Sequence, residues 1–179
     1  MTNLEQSDPM WKIRKSLILL NIVAKYIQFN FGSGKLMAYA IETPLDVQPT
    51  DVPAIIELLR QLYGGLSKEP TQMDVHSTIM SCRVAFARHE SGIVGMARLV
   101  TFERFGTRGA WFEDVVVFQH MRRQGIASAL VHKLEEIAAE LGVSSLQLLT
   151  FKDRPEANGF WQSLGYELRT DRVIRRKML

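Results

Sequence analysis

The residues best suited to chemistry lie between Trp111 and Tyr166 of this 179-residue chain. Val115, Val116 and Val117 read as a buried strand, and a short loop leads from them to Arg122, Arg123, Gln124, Gly125, Ile126 and Ala127 at the start of a helix. Such a start is an anion site, because its first backbone N–H groups have no partner within the helix and carry a partial positive charge. Gly125 and the small Ala127 let a phosphate approach the backbone, and Arg122 and Arg123 can add charge-assisted bonds. Taken alone, Arg-x-x-Gly-x-Ala is also the opening of an ordinary helix. The neighbouring elements decide between the two readings.

Upstream, Asp51 and Pro53 open a helix whose Ile55, Ile56, Leu58, Leu59 and Leu62 face inward before Gly64 and Gly65 stop it. Thr71 and Asp74 have the spacing of a capping box for a second, shorter helix reaching towards Cys82. A first strand is expected at 37–43, and residues 83–88, 93–102 and 109–118 read as an antiparallel meander with hairpin turns at 90–92 and 104–108. Ile126, Leu130, Leu134, Ile137 and Leu141 then mark an amphipathic helix over 124–141, closed by Gly142. A strand at 145–151, a helix at 155–164 and two last strands at 166–169 and 173–178 complete the chain.

Before all this, Ser7, Asp8 and Pro9 form a helix-start signature, and Met10, Ile13, Leu17, Leu20, Ala24, Ile27 and Phe31 recur three and four residues apart. The expected division is therefore a helical extension over 1–36 and a catalytic-type domain over 37–179, with Met37 a second possible start. Lys12, Arg14 and Lys15 ahead of the apolar stretch 16–23 imitate a signal peptide, but Asn21 and Lys25 interrupt it well short of the ~20 apolar residues of a membrane span. An apolar face this wide belongs against its own domain or a second subunit, which makes a homodimer one expectation.

Composition narrows the function classes. A hydrophobic content of 46% supports a well-filled core, and a net charge of +3 with scattered basic residues offers no surface for nucleic acid. Cys82 is the only cysteine, so an intrachain disulfide is impossible, and no Cys/His spacing suggests a metal site. A cytoplasmic location is expected.

The order of strand, Arg-x-x-Gly-x-Ala loop, long helix, strand and then Ala157, Asn158, Gly159, Phe160, Trp161, Gln162, Ser163, Leu164, Gly165 and Tyr166 resembles the GNAT superfamily of acetyl-CoA-dependent N-acetyltransferases. The resemblance runs from about Ala38 to Leu179. It implies an α/β (α+β) fold with a mixed, mostly antiparallel central sheet of six to seven strands flanked by about four helices. It further implies that residues 122–127, with Ser128 beside them, hold the pyrophosphate of acetyl-CoA, and that the backbone of Val115, Val116 and Val117 pairs with the pantetheine arm. The arm would lie in a slot where this strand splays from the one at 146–151.

In such a reaction an amine attacks a thioester carbonyl. An alkyl ammonium is about 99.9% protonated at neutral pH, so a base must free it. Strand alternation puts Glu113 on the face of Val115 and Asp114 on the other. Glu113 resembles the strand carboxylate that several GNAT enzymes use as base, although a solvated strand residue is the other role open to it. A backbone N–H of the valine strand can stabilise the oxyanion. Trp161 stands where many relatives carry the tyrosine that protonates the leaving thiolate; an indole cannot do so. Tyr166 is a substitute or a packing residue, the thiolate can also leave unassisted or to water, and Asn158 is a further candidate contact to pantetheine.

Cys82, His76, His89, His120 and His132 show no motif spacing for a covalent intermediate, so direct transfer to a primary amine of a small molecule or peptide is expected. A non-catalytic acyl-CoA-binding or sensory domain is the alternative that Trp161 keeps open. The acceptor is not encoded in any motif; residues 63–73 and 102–108, with Tyr63, Phe102, Phe105 and Trp111, are where it would be held.

Overall fold

The structure, a computed structural model, describes residues 39–171 and 173–177. The extension expected over 1–36 lies outside them. The described residues fall into two compact units that divide after Gln147.

In the first unit, β1 (Ala40–Glu42), β2 (Arg83–His89), β3 (Gly92–Arg104) and β4 (Thr107–Val117) are followed by β5 (Val143–Leu148), which reaches the unit's boundary. Together they form one sheet in the order β1-β2-β3-β4-β5. The first three pairings are antiparallel, and the turn at Phe105 and Gly106 closes a hairpin in which Arg104 faces Thr107. Gly106 takes the left-handed conformation such a turn requires, with φ 81. At the far edge, Ser144 Oγ donates to the carbonyl of Arg108 and Arg108 Nη1 donates to that of Leu141. The starts of β4 and β5 are thereby tied together.

Helix α1 (Val52–Tyr63) follows a 3-10 turn, and Gly64 ends it at φ 73. Asp51 does not cap it. Its buried carboxylate instead accepts two hydrogen bonds from Arg88, at 3.0 and 2.9 Å. Helix α2 (Gln72–Ser81) has the expected capping box, with Thr71 and Asp74 each bonding the other's backbone N–H. Val52, Ile55, Leu58, Val75 and Ile79 of these helices pack with Val84, Phe86, Met96 and Val116 of the sheet into one apolar cluster. The alternate residues of β2 and β3 are small, Ala85, Ala87, Gly95 and Ala97, and helix α3 (Ile126–Glu140) buries Ile126, Leu130 and Leu134 over that opposite face.

The second unit contains helix α4 (Pro155–Ser163). The strands expected at 166–169 and 173–178 are not formed: the described residues there carry no strand, and Arg169 pairs locally with Asp171. The sheet of the described residues therefore has five strands rather than six or seven, with four α-helices as expected.

Candidate functional site

A bulge in β4 determines which way its side chains point. Met96 faces Val116 across the β3–β4 ladder while Arg98 faces Glu113, so two residues of β4, Asp114 and Val115, stand opposite Ala97 alone. Asp114 adopts φ 51, a conformation that Asp tolerates better than most residues. The alternation assumed between Glu113 and Val115 fails here. Glu113 shares its face with Arg98, and Asp114, expected to point away, turns to the same side.

There Arg98 Nε lies 2.6 Å from Asp114 Oδ2, and the Asp114 side chain is only 8% exposed. The hydroxyl of Tyr63, at the end of α1, donates to the other carboxylate oxygen. Burial first, and then this bond to Asp114, push the Tyr63 phenol well above its ordinary pKa, so it remains a donor. Burial opposes the charge on Arg98, but Asp114, Cys82 and Glu113 together outweigh it and raise the pKa of the guanidinium. Cys82 is buried nearby with Sγ 3.0 Å from the carbonyl of Thr78, and burial raises its thiol pKa. That keeps it protonated and unsuited to nucleophilic attack.

From the bulge, β4 continues through Val116 and Val117 towards the loop before α3. The Val117 carbonyl accepts from Gln61 Nε2 of α1 at 3.0 Å and from Arg122 Nε at 3.2 Å, while Gln61 Oε1 accepts from the N–H of Gln119. Gly95 permits this approach, since a Cβ there would lie 3.0 Å from Val117 Cγ2 and 3.1 Å from the Val116 carbonyl. In the loop itself Arg123 has φ 63 and Gly125 φ 78. No side chain caps α3, whose first bond runs from Ala129 N–H to the Gly125 carbonyl. The N–H groups of Ile126, Ala127 and Ser128 thus precede the helical ladder, with exposed Arg122 and Arg123 and half-buried Gln124 before them. Ile126 as a whole is 1% exposed, and its side chain belongs to the core.

The remaining expected residues belong to the second unit. Trp161 is buried, and the Tyr166 ring meets it edge-on at 5.1 Å. Asn158 Nδ2 donates to the carbonyls of Phe151 and Arg154, both at 3.0 Å, which commits both amide hydrogens to its own turn. Of the proposed acceptor aromatics, Phe105 is fully exposed and Phe102 lies over Gly109. Arg98 and Gln61 were not singled out by sequence, and Tyr63 was expected only as an aromatic near the acceptor, not as a partner of Asp114. Among the described residues no cluster of His, Cys, Asp or Glu is arranged to hold a metal ion, and no helix is long and apolar enough to cross a membrane.

The geometry thus joins a carboxylate-bearing bulge in β4, a 3-10 turn and an uncapped, glycine-led helix start. The profile of the acetyltransferase (GNAT) family matches residues 52–166, so the chain belongs to that family and is an acyltransferase. The uncharacterized protein YyaT of Bacillus subtilis is 30% identical over 101 residues, 56% of this chain; the chain spans only 64% of that relative's length. Among solved structures, the aminoglycoside acetyltransferase meta-AAC0020, from an uncultured soil metagenomic sample, in complex with sisomicin, is similar at a TM-score of 0.66 and 20% identity, over 79% of this chain and 96% of that one. Glucosamine-6-phosphate N-acetyltransferase from Arabidopsis thaliana gives a TM-score of 0.64 at 16% identity, over 78% and 98%. At these identities the likeness of structure speaks to fold.

Proposed function

We propose that the protein transfers an acetyl group from acetyl-CoA directly to a primary amine, with no covalent enzyme intermediate. One observation carries this reading: β4 leads through a 3-10 turn (Gln119–Met121) to a left-handed Gly125 and an uncapped α3 start preceded by two exposed arginines. The N–H groups of residues 126–128, Gln124 and the side chains of Arg122 and Arg123 would hold the pyrophosphate, and the backbone of Val115, Val116 and Val117 would orient the thioester.

Asp114 is committed to Arg98 and Tyr63, which leaves Glu113 as the carboxylate to take the ammonium proton, directly or through water. The freed amine attacks the carbonyl carbon, a strand N–H stabilises the oxyanion, and the C–S bond breaks as the nitrogen gives up its second proton to water. Tyr166 is assigned the proton returned to the thiolate, with Trp161 fixing its ring and Asn158 Oδ1 left to meet the pantetheine arm. The protonated Cys82 favours direct transfer. The extension over 1–36 is proposed to cover an apolar face of its own domain or of a second subunit. Thiol release from acetyl-CoA with a panel of amines tests the reading. CoA release that depends on added amine supports it, whereas CoA binding without such release would leave a binding or sensory domain.

A further inference from the structure

Between α1, α2 and the sheet lies a cavity of about 150 Å³. Ile55, Val75, Ile79 and Phe86 are among its apolar walls, and Arg98, Asp114 and the exposed Asp74 supply its charges. We propose that this cavity receives the body of the acceptor, and that the acceptor is a primary amine bearing a phenyl-sized or branched aliphatic group; the inference rests on the amine-acetylation reading above.

Size gives the first argument. An apolar cavity of about 150 Å³ is enough to take up a benzene ring. Charge gives the second. The guanidinium of Arg98 is matched by Asp114, so Asp74 leaves one negative charge in excess on the lining, and Glu113 stands opposite Arg98 on the ladder. Hydrogen bonds from Thr71 hold the Asp74 carboxyl below its ordinary pKa, and therefore charged. An ammonium suits this field, whereas a carboxylate on the acceptor would be repelled. The third argument is desolvation: sugar hydroxyls set against these walls would lose water without gaining partners. Position completes the case, because Asp114 lines the cavity and is one residue from Val115, where the thioester is proposed to lie. One of its oxygens accepts from Tyr63 and the other stands in an ion pair with Arg98, which fixes the carboxylate on the cavity wall.

The test compares kcat/KM for methylamine, butylamine, 2-phenylethylamine and glucosamine, with calorimetric binding of 2-phenylethylamine measured separately. Burying the ring should favour 2-phenylethylamine over methylamine by at least about tenfold. Thr78 lines the cavity, and its hydroxyl bonds only within α2, to the carbonyl of Asp74. Thr78→Leu should shrink the cavity and collapse the preference for 2-phenylethylamine, while Thr78→Val, of similar size, should keep it. Equal rates for methylamine and 2-phenylethylamine, or a preference for glucosamine, would overturn the inference and leave acetyl transfer standing. Binding of 2-phenylethylamine that Thr78→Leu abolishes, with no CoA released by any amine, would keep the pocket and sink the transfer reading.

Discussion

Replacing Gly125 by Asp tests the anion loop most directly, because folding and ligand binding should respond differently. Gly125 sits at φ 78 and ψ −2 immediately before α3. An L-residue there costs about 1–2 kcal/mol, and Asp falls at the low end because its short polar side chain tolerates this conformation. The fold should therefore survive. The new carboxylate would stand where the pyrophosphate must meet the N–H groups of residues 126–128. Two unit charges about 4 Å apart repel by about 1 kcal/mol at the dielectric of water and about 4 kcal/mol at the effective value near a protein surface. Since about 1.4 kcal/mol is a factor of ten, a tenfold loss of CoA affinity is the least expected, from a submillimolar starting value. Calorimetric titration with CoA, beside thermal melts, measures both quantities. Gly125→Ala adds a Cβ without charge and should fall between the two. A folded Gly125→Asp protein binding CoA as tightly as the parent would refute the assignment of the loop.

Glu113→Gln should lower turnover with CoA affinity nearly intact, and the deficit should narrow as rising pH deprotonates the amine by itself; a variant as active as the parent at neutral pH excludes Glu113 as base. Gln61→Ala removes two hydrogen bonds that hold the end of β4 and the following turn, worth about 1 kcal/mol each, and should weaken CoA binding by about threefold to tenfold. Unchanged affinity would count against that role. Asp51→Asn leaves Arg88 without its bidentate carboxylate; since the Arg88 side chain is 34% exposed and keeps Glu42, the loss should be about 1–2 kcal/mol, below that of a fully buried pair, and visible as a lower Tm. An unchanged melt would show the pair to be neutral. Removal of residues 1–36 should lower the Tm or change the mass by light scattering, and a shortened protein with the same mass, stability and activity would make the extension a dispensable tail.

The sequence made the helices and the meander legible because their apolar periods are long: α1 and α3 each bury a full stripe, and Thr71 with Asp74 announces α2 by chemistry alone. The helix start at Gly125 was legible from the order of elements around it, because Arg-x-x-Gly-x-Ala by itself is also the opening of an ordinary helix. The face of Asp114 was not. It depends on a left-handed residue inside a strand, stabilised by Arg98 and by a Tyr63 that is 51 residues away, and alternation is silent about such a slip. The two last strands failed for the opposite reason. Leu168, Val173 and Ile174 have the composition of strands, yet all three are exposed and the Arg169–Asp171 pair turns the chain locally. Strand propensity is realised only where a neighbouring strand and a buried face accept it.

The last turn of α1 links the two halves of the proposed site. Gln61 binds the Val117 carbonyl and the Gln119 N–H, beside the loop assigned to the pyrophosphate, and Tyr63 binds Asp114, beside the cavity assigned to the acceptor. Residues two apart on a helix point in divergent directions, and here they reach points three residues apart on β4. One helix end therefore holds the bulge and the strand end in a fixed relation, which a base on one side and a thioester on the other would require. Gly64, at φ 73 immediately after Tyr63, releases the chain at that point, so the connection to α2 can vary while Gln61 and Tyr63 stay in place. On the proposed reading, donor and acceptor chemistry would be separable within the fold: the loop after β4 would answer to the pyrophosphate, and the α2 wall of the cavity, with Pro70 ahead of it, to the amine.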